Sequence, residues 1–343
     1  MILCNARILS APLTGIQRYM RELLARRPSN VRTVEPPGPF QGGGLSGHIW
    51  EQSLLPLQAK GHLLWSPGGT GPALYRHQVV TVHDLAPLDC PEGFSPTFRD
   101  WYGWLWRRLL PKVPAILSVS EFTKRRLVEV FDLPPDKIHV TLLGVDHDRF
   151  FPQDTEKVEA LRRKLSLPDR FVVFLGALSA RKNIDRLLEA WSRGNRSDVH
   201  LLIAGGSGGA RALAGTTPPR LPPNTRVLGK IDDGDVPTLL TAAQAFAYPS
   251  LYEGFGLPPL EAMACGTPCL VSNVTALPEV TADAAVQVNP LDVEDITQGL
   301  NRILGDAALR DKLRQKGLER AARFTWENTA AKTYEVLSRY QNG

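Results

Sequence analysis

The chain has 343 residues, of which 43% are hydrophobic and 22% charged, as in an ordinary globular protein. This length exceeds what one hydrophobic core usually organises and favours two domains. No apolar stretch approaches the roughly 18 residues that span a bilayer, and Arg7 interrupts the first apolar run, so no signal-peptide pattern opens the sequence. The composition therefore excludes a membrane-spanning class and predicts a cytoplasmic protein.

The net charge of +5 is unevenly distributed along the chain. Residues 1–165 hold 21 Lys and Arg against 16 Asp and Glu, whereas the remaining 178 residues hold 19 of each. Such an excess suits a first domain that faces an anionic partner, whether lipid head groups, a phosphorylated acceptor or nucleic acid. Chance alone also produces an imbalance of this size, so both readings stay open.

The four cysteines, Cys4, Cys90, Cys265 and Cys269, fit buried thiols in a reducing compartment better than a disulfide framework. Cys265 and Cys269 flank a Gly-Thr-Pro turn, and no histidine cluster lies nearby in the sequence to complete a zinc site. No metal site is expected.

Short apolar runs alternate with glycine or polar turns and amphipathic segments along the chain. Nearly continuous apolar runs predict parallel strands that are covered by helices on both faces. The runs of the first half are MILCNARIL, HLLWS, QVVTVH and AILSVS, and those of the second are FVVFLG, VHLLIAG, RVLG, AFAYPS, PCLVS and AAVQV. Two such series predict an α/β protein with two doubly wound Rossmann-like domains.

The domain boundary is predicted in the polar segment 150–170, where Pro168 precedes the strand that begins at Phe171. This gives an N-terminal domain over residues 1–165 and a C-terminal domain over residues 166–323. The last residues, 324–343, form an amphipathic helix that Thr325 can cap.

Glycines and charged residues follow the predicted strands, where ligands of parallel sheets bind. Each also has a structural reading: a buried histidine, a turn cap, a solvated basic face or a plain flexible turn. Adjacent cations at a helix start can also clamp a diphosphate, whereas the glycines at 204–211 fit G-x-G-x-x-G in no frame. These residues are His83 with Asp84, Gly15, Arg181 with Lys182, and Gly205 with Gly206.

The segment SLYEGFGLPPLEAMACGTP, residues 250–268, places Glu253 and Glu261 around a run of glycines and prolines. Gly254, Gly256 and the proline pair make its first part a loop and favour a helix that starts near Pro258. A loop that enters a helix presents unpaired N–H groups to a phosphate, and the two carboxylates can hold sugar hydroxyls. The alternative is a surface glutamate beside an ordinary helix N-terminus.

This segment resembles the E-x7-E signature of the retaining GT-B glycosyltransferases of the glycosyltransferase group 1, or GT4, family. The family's other segments follow in the same order: TGIQRY is similar to its glycine loop, TVHDLAP to its histidine strand, and SVSEFTKRRL, LGALSARKNIDRLLEAW and FTWENTAAKTYEVL to later parts. The resemblance covers nearly the whole chain. It implies a GT-B fold, in which two Rossmann-like domains face a cleft and the C-terminal helix crosses back to the first domain.

The resemblance also implies a role for each candidate residue. Glu253 would contact hydroxyls of the donor sugar, and Glu261 would hold the nucleotide ribose. Arg181 and Lys182 would neutralise the leaving diphosphate. The remaining roles are donor-sugar contact by His83, diphosphate binding by backbone amides of Gly254, Phe255, Gly256 and Leu257, lining of the nucleotide pocket by Gly205 and Gly206, and close approach of substrate at Gly15.

Two positions depart from the family pattern. Many members have an arginine after the glycine that closes the first strand of the second domain, whereas Ala177 follows Gly176 here. We expect Arg181 to supply the missing guanidinium. The glycine loop has Thr14 before Gly15 where many relatives have two glycines, which affects a backbone contact at position 14.

The function that the resemblance implies is a metal-independent, retaining hexosyltransferase of bacterial surface polysaccharide assembly. It would move a hexose, with mannose favoured, from a nucleotide diphosphate sugar to a glycan or polyprenyl-linked acceptor. A sugar-nucleotide-binding subunit without activity and another GT-B enzyme, such as an epimerase, are the alternatives. Nucleic-acid binding is not expected, because no recognised module is present and the second half carries no net charge.

One further segment, FSPTFRDWYGWLWRRLLPKV, gathers aromatic and basic residues on a predicted helix over residues 98–112. Aromatic rings with cations suit the interface of a membrane, where a polyprenyl-linked acceptor would lie, and a peripheral contact with the inner membrane would follow. The alternative is an aromatic core face with a basic rim.

Overall fold

The computed structural model describes residues 1–11, 14–41, 44–194, 196–206 and 221–342. The chain divides into two compact units: Met1–Gly144 with Phe324–Gly343, and Val145–Arg323. Residues 145–165, assigned above to the first domain, belong to the second unit, because their helix Thr155–Leu165 packs against the helix Val236–Ala242.

The first unit contains a six-stranded parallel sheet. Its strands are β1 (Ile2–Asn5), β2 (Val31–Val34), β3 (Leu63–Ser66), β4 (Gln78–Val82), β5 (Ala115–Ser118) and β6 (Ile138–Val140), in the order β2-β1-β3-β4-β5-β6. The four predicted runs are β1, β3, β4 and β5. The two edge strands, β2 and β6, were not predicted.

Among the residues that the structure describes, six α-helices connect these strands: α1 (Gly15–Ala25), α2 (Gly44–Ser53), α3 (Leu55–Gln58), α4 (Ala86–Asp89), α5 (Pro96–Leu109) and α6 (Glu121–Phe131). Serine side chains begin two of them. Ser95 accepts a hydrogen bond from the Phe98 amide at the start of α5, and Ser120 accepts one from the Thr123 amide at the start of α6. These N-caps satisfy amides that have no partner within the helix.

The second unit is built around another six-stranded parallel sheet, and all six runs predicted in this half are its strands. They are β7 (Phe171–Leu175), β8 (His200–Ala204), β9 (Thr225–Gly229), β10 (Ala245–Tyr248), β11 (Cys269–Ser272) and β12 (Ala285–Val288), in the order β12-β11-β10-β7-β8-β9. Its helices are α7 (Thr155–Leu165), α8 (Ile184–Arg193), α9 (Val236–Ala242), α10 (Leu257–Ala264), α11 (Leu277–Thr281), α12 (Val293–Gly305) and α13 (Ala307–Ala321).

The C-terminal helix, α14 (Trp326–Arg339), belongs to the first unit, as predicted. Thr325 caps it by accepting a hydrogen bond from the Asn328 amide at 3.1 Å. The helix packs against α1, where the Tyr334 hydroxyl donates to the Leu23 carbonyl at 2.7 Å. Two distant chain segments therefore complete one unit.

The cores of both units follow from the apolar runs. Every residue of β1, β3, β4, β5, β10 and β11 is buried, as expected for parallel strands covered on both faces. Over the ranges that the structure describes, no helix combines the length and the apolar character needed to cross a membrane.

Candidate active site

The order of strands in the second sheet identifies where a ligand would bind. The chain runs from β7 to β8 and β9 on one side and then returns to β10 on the other side of β7. In doubly wound sheets, ligands bind beyond the carboxyl ends of the strands at such a switch point. Arg181 and Lys182 follow β7, and the Glu253 segment follows β10, so the two predicted motifs lie next to each other.

The charged side chains of these motifs form one buried cluster. The Lys182 ammonium donates hydrogen bonds to Glu253 Oε1 and to the Tyr248 hydroxyl. The Arg181 guanidinium lies 3.4 Å from Glu253 Oε2 and donates to the Tyr252 carbonyl at 3.2 Å. Lys182 is 5% exposed and Glu253 is 7% exposed, so the ion pair is nearly shielded from water. The structure thus brings Arg181, Lys182 and Glu253 together.

The cluster determines the protonation of its members. Burial alone would raise the pKa of Glu253, but the charges of Lys182 and Arg181 hold it below its ordinary value of 4.5. Burial, followed by the charge of Glu253, raises the pKa of the Tyr248 phenol well above its usual range. At neutral pH Glu253 is therefore a carboxylate of low basicity, and Tyr248 keeps its proton.

Backbone hydrogen bonds fix the two turns that carry the cluster. Arg181 and Lys182 lie in a short 3-10 turn, and Asn183 follows with a left-handed φ of 59°. The Asn183 side-chain amide donates to the carbonyls of Pro249, at 2.9 Å, and Pro290, at 2.6 Å. The Leu251 amide donates to the Arg181 carbonyl at 2.8 Å. The turn after β7 is therefore bound directly to the turn after β10.

The loop that follows Glu253 leads into a helix, as the glycines and prolines predict. Helix α10 begins at Leu257, one residue before the predicted Pro258, and contains Glu261, which is 7% exposed. Gly256 precedes it with a φ of 110°, and a Cβ there would lie 2.6 Å from Leu277 Cδ2. Gly254 and Phe255 complete the loop, and their contacts with a diphosphate stay a prediction, as does the ribose contact of Glu261.

Gly205 and Gly206 directly follow β8, beside the end of β7. Both have positive φ angles, 112° and 83°. A Cβ on Gly205 would lie 2.2 Å from the Gly176 carbonyl oxygen, so only glycine permits this approach. The two glycines are thus close to the switch point, while the rest of the glycine run, within residues 207–220, lies outside the described residues.

The remaining predicted residues, His83 and Gly15, belong to the first unit. His83 Nε2 is 2.7 Å from the Pro67 carbonyl, and burial lowers the pKa of its imidazole against the opposing effects of Pro67 and Asp84. Asp84 accepts a hydrogen bond from the Ala86 amide at 3.0 Å, which is the turn cap considered above. Gly15 is the first residue of α1. The roles of His83 and Gly15 with a donor stay predictions.

A second polar cluster, which the sequence did not indicate, lies at the switch point of the first sheet, between β1 and β3. The Arg7 guanidinium contacts Glu51 Oε1 at 3.2 Å and donates to the Thr70 hydroxyl at 2.9 Å. Asn5 also donates to Glu51, at 2.7 Å, and Glu51 is 1% exposed. Burial alone would raise the pKa of Glu51, but the charges of Arg7 and His48 outweigh burial and hold the pKa below its ordinary value of 4.5. The carboxyl group therefore stays ionised.

Neither set of missed residues carries a clear local signal in the sequence. Tyr248 belongs to the apolar run AFAYPS, where an aromatic residue normally indicates core packing. Arg7 and Glu51 are 44 positions apart, so only the fold brings them together. Charged residues inside otherwise apolar segments were the one available indication.

Two Rossmann-like units, one with cations and a glycine-bearing loop at its switch point, define a doubly wound α/β protein, a class that binds ligands at the carboxyl ends of its strands. Comparison of the chain with models of protein families identifies its class. Residues 157–320 match the model of glycosyl transferases group 1, and residues 60–149 match that of glycosyltransferase family 4. The chain belongs to the glycosyltransferase group 1 (GT4) family and is a glycosyltransferase of the GT-B fold.

Individual relatives support this assignment. The chain is 31% identical to O-antigen chain mannosyltransferase B of Escherichia coli, across 95% of this chain and 97% of that protein. It is also 31% identical to the serotype-specific mannosyltransferase WbdA of Escherichia coli, over 76% of this chain but only 33% of that longer protein.

Solved structures share the fold at lower sequence identity. Sucrose-phosphate synthase from Thermosynechococcus elongatus superposes with a TM-score of 0.79 at 21% identity, covering 98% of both chains. HepE of Anabaena, in complex with UDP and glucose, gives a TM-score of 0.75 at 18% identity and covers 98% of this chain and 99% of its own.

Proposed function

We propose that this chain is a retaining mannosyltransferase that uses a nucleotide diphosphate sugar, with GDP-mannose favoured, and extends a glycan or polyprenyl-linked acceptor in polysaccharide assembly. The observation that carries the proposal is the Arg181, Lys182 and Glu253 cluster beside the loop that enters α10. The mannosyltransferases among the relatives support the sugar, and the HepE complex with UDP-glucose supports a nucleotide-sugar donor.

The cluster suits the departure of a diphosphate. As the bond between the anomeric carbon and the phosphate oxygen breaks, negative charge develops on the leaving group and is stabilised by fixed cations and N–H dipoles. Arg181, Lys182 and the start of α10 provide both. Glu253 orients the two cations and, through its remaining acceptor capacity, a sugar hydroxyl. With these charges available, we propose that the reaction needs no metal ion.

The protonation of Glu253 supports retention without a protein nucleophile or base. A carboxylate with two cations and a lowered pKa is a weak base and a weak nucleophile. We therefore propose displacement on one face of the sugar. The acceptor oxygen bonds to the anomeric carbon as the phosphate leaves, and the acceptor proton passes to an oxygen of the departing phosphate.

The acceptor is proposed to bind the first unit. Its switch point between β1 and β3 carries the Arg7 and Glu51 cluster, and such a position is where parallel sheets bind ligands. Guanidinium, carboxylate and hydroxyl groups together match the donors and acceptors of a sugar.

The first experiment is a thermal-shift measurement with GDP-mannose, UDP-glucose, ADP-glucose and dTDP-glucose. A donor at about 100 times its dissociation constant stabilises the folded protein by about 2.7 kcal/mol. That corresponds to a rise of roughly 5 to 10 °C in melting temperature for a unit of this size. Lys182→Ala and Glu253→Ala should lose most of the shift, each measured against its own ligand-free melting temperature. Lys312→Ala, at an exposed position of α13, is the matched control and should keep it.

If none of the four donors raises the melting temperature, the proposed function is contradicted. A shift with a UDP-, ADP- or dTDP-sugar alone would contradict GDP-mannose but keep the donor site. A transfer assay with the responding donor then tests metal independence, because activity should persist in EDTA, and distinguishes a transferase from a subunit that only binds donor.

A further inference from the structure

Tyr248 is the last residue of β10, and packing fixes the position of its ring. The residue is 0% exposed and pairs in register with Val271 of β11. Its ring stacks on that of Phe174 in β7, with centroids 5.7 Å apart, and on that of Phe246 in its own strand, at 5.5 Å. Close packing of this kind leaves a side chain one arrangement, so the phenol oxygen has a defined place at the carboxyl edge of the sheet.

The hydroxyl group of Tyr248 belongs to the charged cluster rather than to the apolar core. The Lys182 ammonium donates a hydrogen bond to it and lies 4.7 Å from the ring centroid. The phenol also hydrogen-bonds the Glu253 carboxylate, which accepts from Lys182 as well. A phenol can accept and donate at the same time, so the three groups close a ring of hydrogen bonds. The neighbouring Phe174 and Phe246 show that packing at this edge does not require a hydroxyl.

Backbone contacts hold the ammonium and the phenol at a fixed separation. Asn183 directly follows Lys182, and its side-chain amide donates to the Pro249 carbonyl at 2.9 Å. Pro249 in turn directly follows Tyr248. Strand β10 also pairs in parallel with β7, the strand that precedes the turn with Lys182. The positions of both groups are therefore set by the fold before any ligand binds.

Tyr248 directs the ammonium without reducing the positive charge of the cluster. Arg181 and Lys182 carry two positive charges against the one negative charge of Glu253, so one positive charge is in excess. The phenol is neutral at pH 7, because burial, followed by the charge of Glu253, raises its pKa well above the usual range. A carboxylate in its place would cancel the excess, and an apolar ring would let the ammonium shift toward Glu253.

We propose that Tyr248 is a positioning residue for the transfer reaction: its hydroxyl holds the Lys182 ammonium where the diphosphate leaves. Because Tyr248 is fully buried, it acts through Lys182 and does not touch the substrate. The inference rests on the proposed function, in which Lys182 stabilises the departing diphosphate. Negative charge on the leaving group grows as its bond to the anomeric carbon breaks, so the place of the ammonium matters more in the transition state than in the donor complex.

The test compares Tyr248→Phe with wild type in the release of GDP from GDP-mannose without an acceptor. Water then takes the place of the acceptor, so mannose and GDP are formed and no acceptor has to be known. The variant should lower kcat roughly tenfold, the size of effect that loss of one hydrogen bond to a charged group produces. It should change KM less than about threefold, since the donor complex depends less on the exact place of the charge. If another donor of the thermal-shift panel binds instead, the assay uses that donor.

Tyr334→Phe is the matched control, because it also removes one phenol hydroxyl, here one that donates to the Leu23 carbonyl in the first unit. It should keep the kcat and KM of wild type. Phenylalanine fills the same space as tyrosine at both positions, so both variants should fold, and urea unfolding checks this. Tyr248→Phe should also keep the rise in melting temperature that the donor causes in wild type, because Lys182, Arg181 and Glu253 all remain.

A wild-type kcat in folded Tyr248→Phe would overturn the proposal. So would a raised KM at unchanged kcat, or an equal loss of kcat in Tyr334→Phe, since either would mean that the hydroxyl does not act on the leaving group. Failure of the proposed function is seen separately, in wild type: no donor would raise its melting temperature, or none would be cleaved. If wild type binds and cleaves the donor and Tyr248→Phe does so equally well, only the role of Tyr248 is wrong.

Discussion

At the scale of single residues, the ion pair between Lys182 and Glu253 is the central feature of the proposed donor site. Two charges removed from water are tolerated only when each compensates the other, and loss of one partner leaves an unpaired buried charge. Here the pair also sets where the ammonium and the Arg181 guanidinium lie before any ligand arrives. Such preorganised charge can stabilise a leaving group without rearrangement during the reaction.

The lowered pKa of Glu253 predicts a dependence of stability on pH. A depressed carboxyl pKa stabilises the folded state above the unfolded value of 4.5, and this contribution is lost as the pH falls through the folded pKa. Glu253→Gln should therefore lower the free energy of unfolding by about 3 kcal/mol at pH 7. The difference from wild type should shrink below pH 4.5. Urea unfolding of both proteins between pH 7 and pH 3.5 measures it.

Glu156→Gln is the control for this comparison, because Glu156 is an exposed glutamate of α7. It should change the free energy of unfolding by less than about 0.5 kcal/mol at each pH. A difference between wild type and Glu253→Gln that stays constant with pH would show that the carboxyl pKa is not depressed in the folded state.

The individual residues of the second unit were predictable because position after a strand carries the information. Arg181, Lys182 and Glu253 each follow an apolar run whose end meets the same edge of the sheet. What sequence does not supply is pairing: nothing local indicates that Lys182 contacts Tyr248 or that Arg7 contacts Glu51. Those contacts join residues far apart in the chain, and only the packed fold determines them.

At the scale of elements, central strands were predicted and edge strands of the first sheet were missed. Strand β2 reads VRTV, with Arg32 and Thr33 exposed, and β6 reads IHV, with two of its three residues half-buried. Neither is a continuous apolar run, because an edge strand is only partly covered. In the second unit β9 is also partly exposed, but its RVLG pattern between turns was sufficient.

The contact between β7 and β8 predicts a strong effect of Gly205→Ala. The new Cβ would lie 2.2 Å from the Gly176 carbonyl oxygen, at a φ of 112° that side chains rarely adopt. Gly229→Ala is the matched control, because Gly229 also has a positive φ, 72°, but has no atom within 4 Å of the added Cβ. Gly229→Ala should lower the free energy of unfolding by about 1 to 2 kcal/mol, through backbone strain alone.

Gly205→Ala should lower the free energy of unfolding by at least about 2 kcal/mol more than Gly229→Ala does, because its Cβ also overpacks against a backbone atom. Urea unfolding of the two variants gives the comparison. Gly205→Ala should also weaken donor binding, because the added Cβ would push the carboxyl ends of β7 and β8 apart. Equal destabilisation by both substitutions would mean that the approach of Gly205 to Gly176 is not tight.

At the scale of the whole molecule, the first unit depends on residues from both ends of the chain. Trp326, Val336 and Leu337 of α14 are buried in this unit, and the Thr329 hydroxyl donates to the Leu142 carbonyl at 2.7 Å. The resemblance to the family predicted this return of the helix, whereas periodicity alone indicated only an amphipathic helix. The residues that α14 packs against could not be predicted from the sequence, because they are dispersed from α1 to residue 144.

The two segments approach each other closely at Gly144, which provides the test of this dependence. A Cβ on Gly144 would lie 2.3 Å from the Trp326 amide nitrogen and 2.4 Å from the Thr325 carbonyl carbon, both backbone atoms that cannot turn aside. Gly144→Ala should therefore displace the start of α14 and destabilise the first unit by about 3 kcal/mol. Gly93→Ala, in the same unit with no atom within 4 Å, should be nearly neutral.

Hydrogen exchange measures this effect locally. In Gly144→Ala, amides of α14 and α1 should exchange roughly 100-fold faster, as expected for opening that is easier by about 3 kcal/mol. Amides of β10 and β11 in the second unit should keep their protection and serve as an internal reference. Unchanged exchange in α14 would show that its docking does not depend on the approach at Gly144. Faster exchange in both units together would show instead that the two units unfold as one.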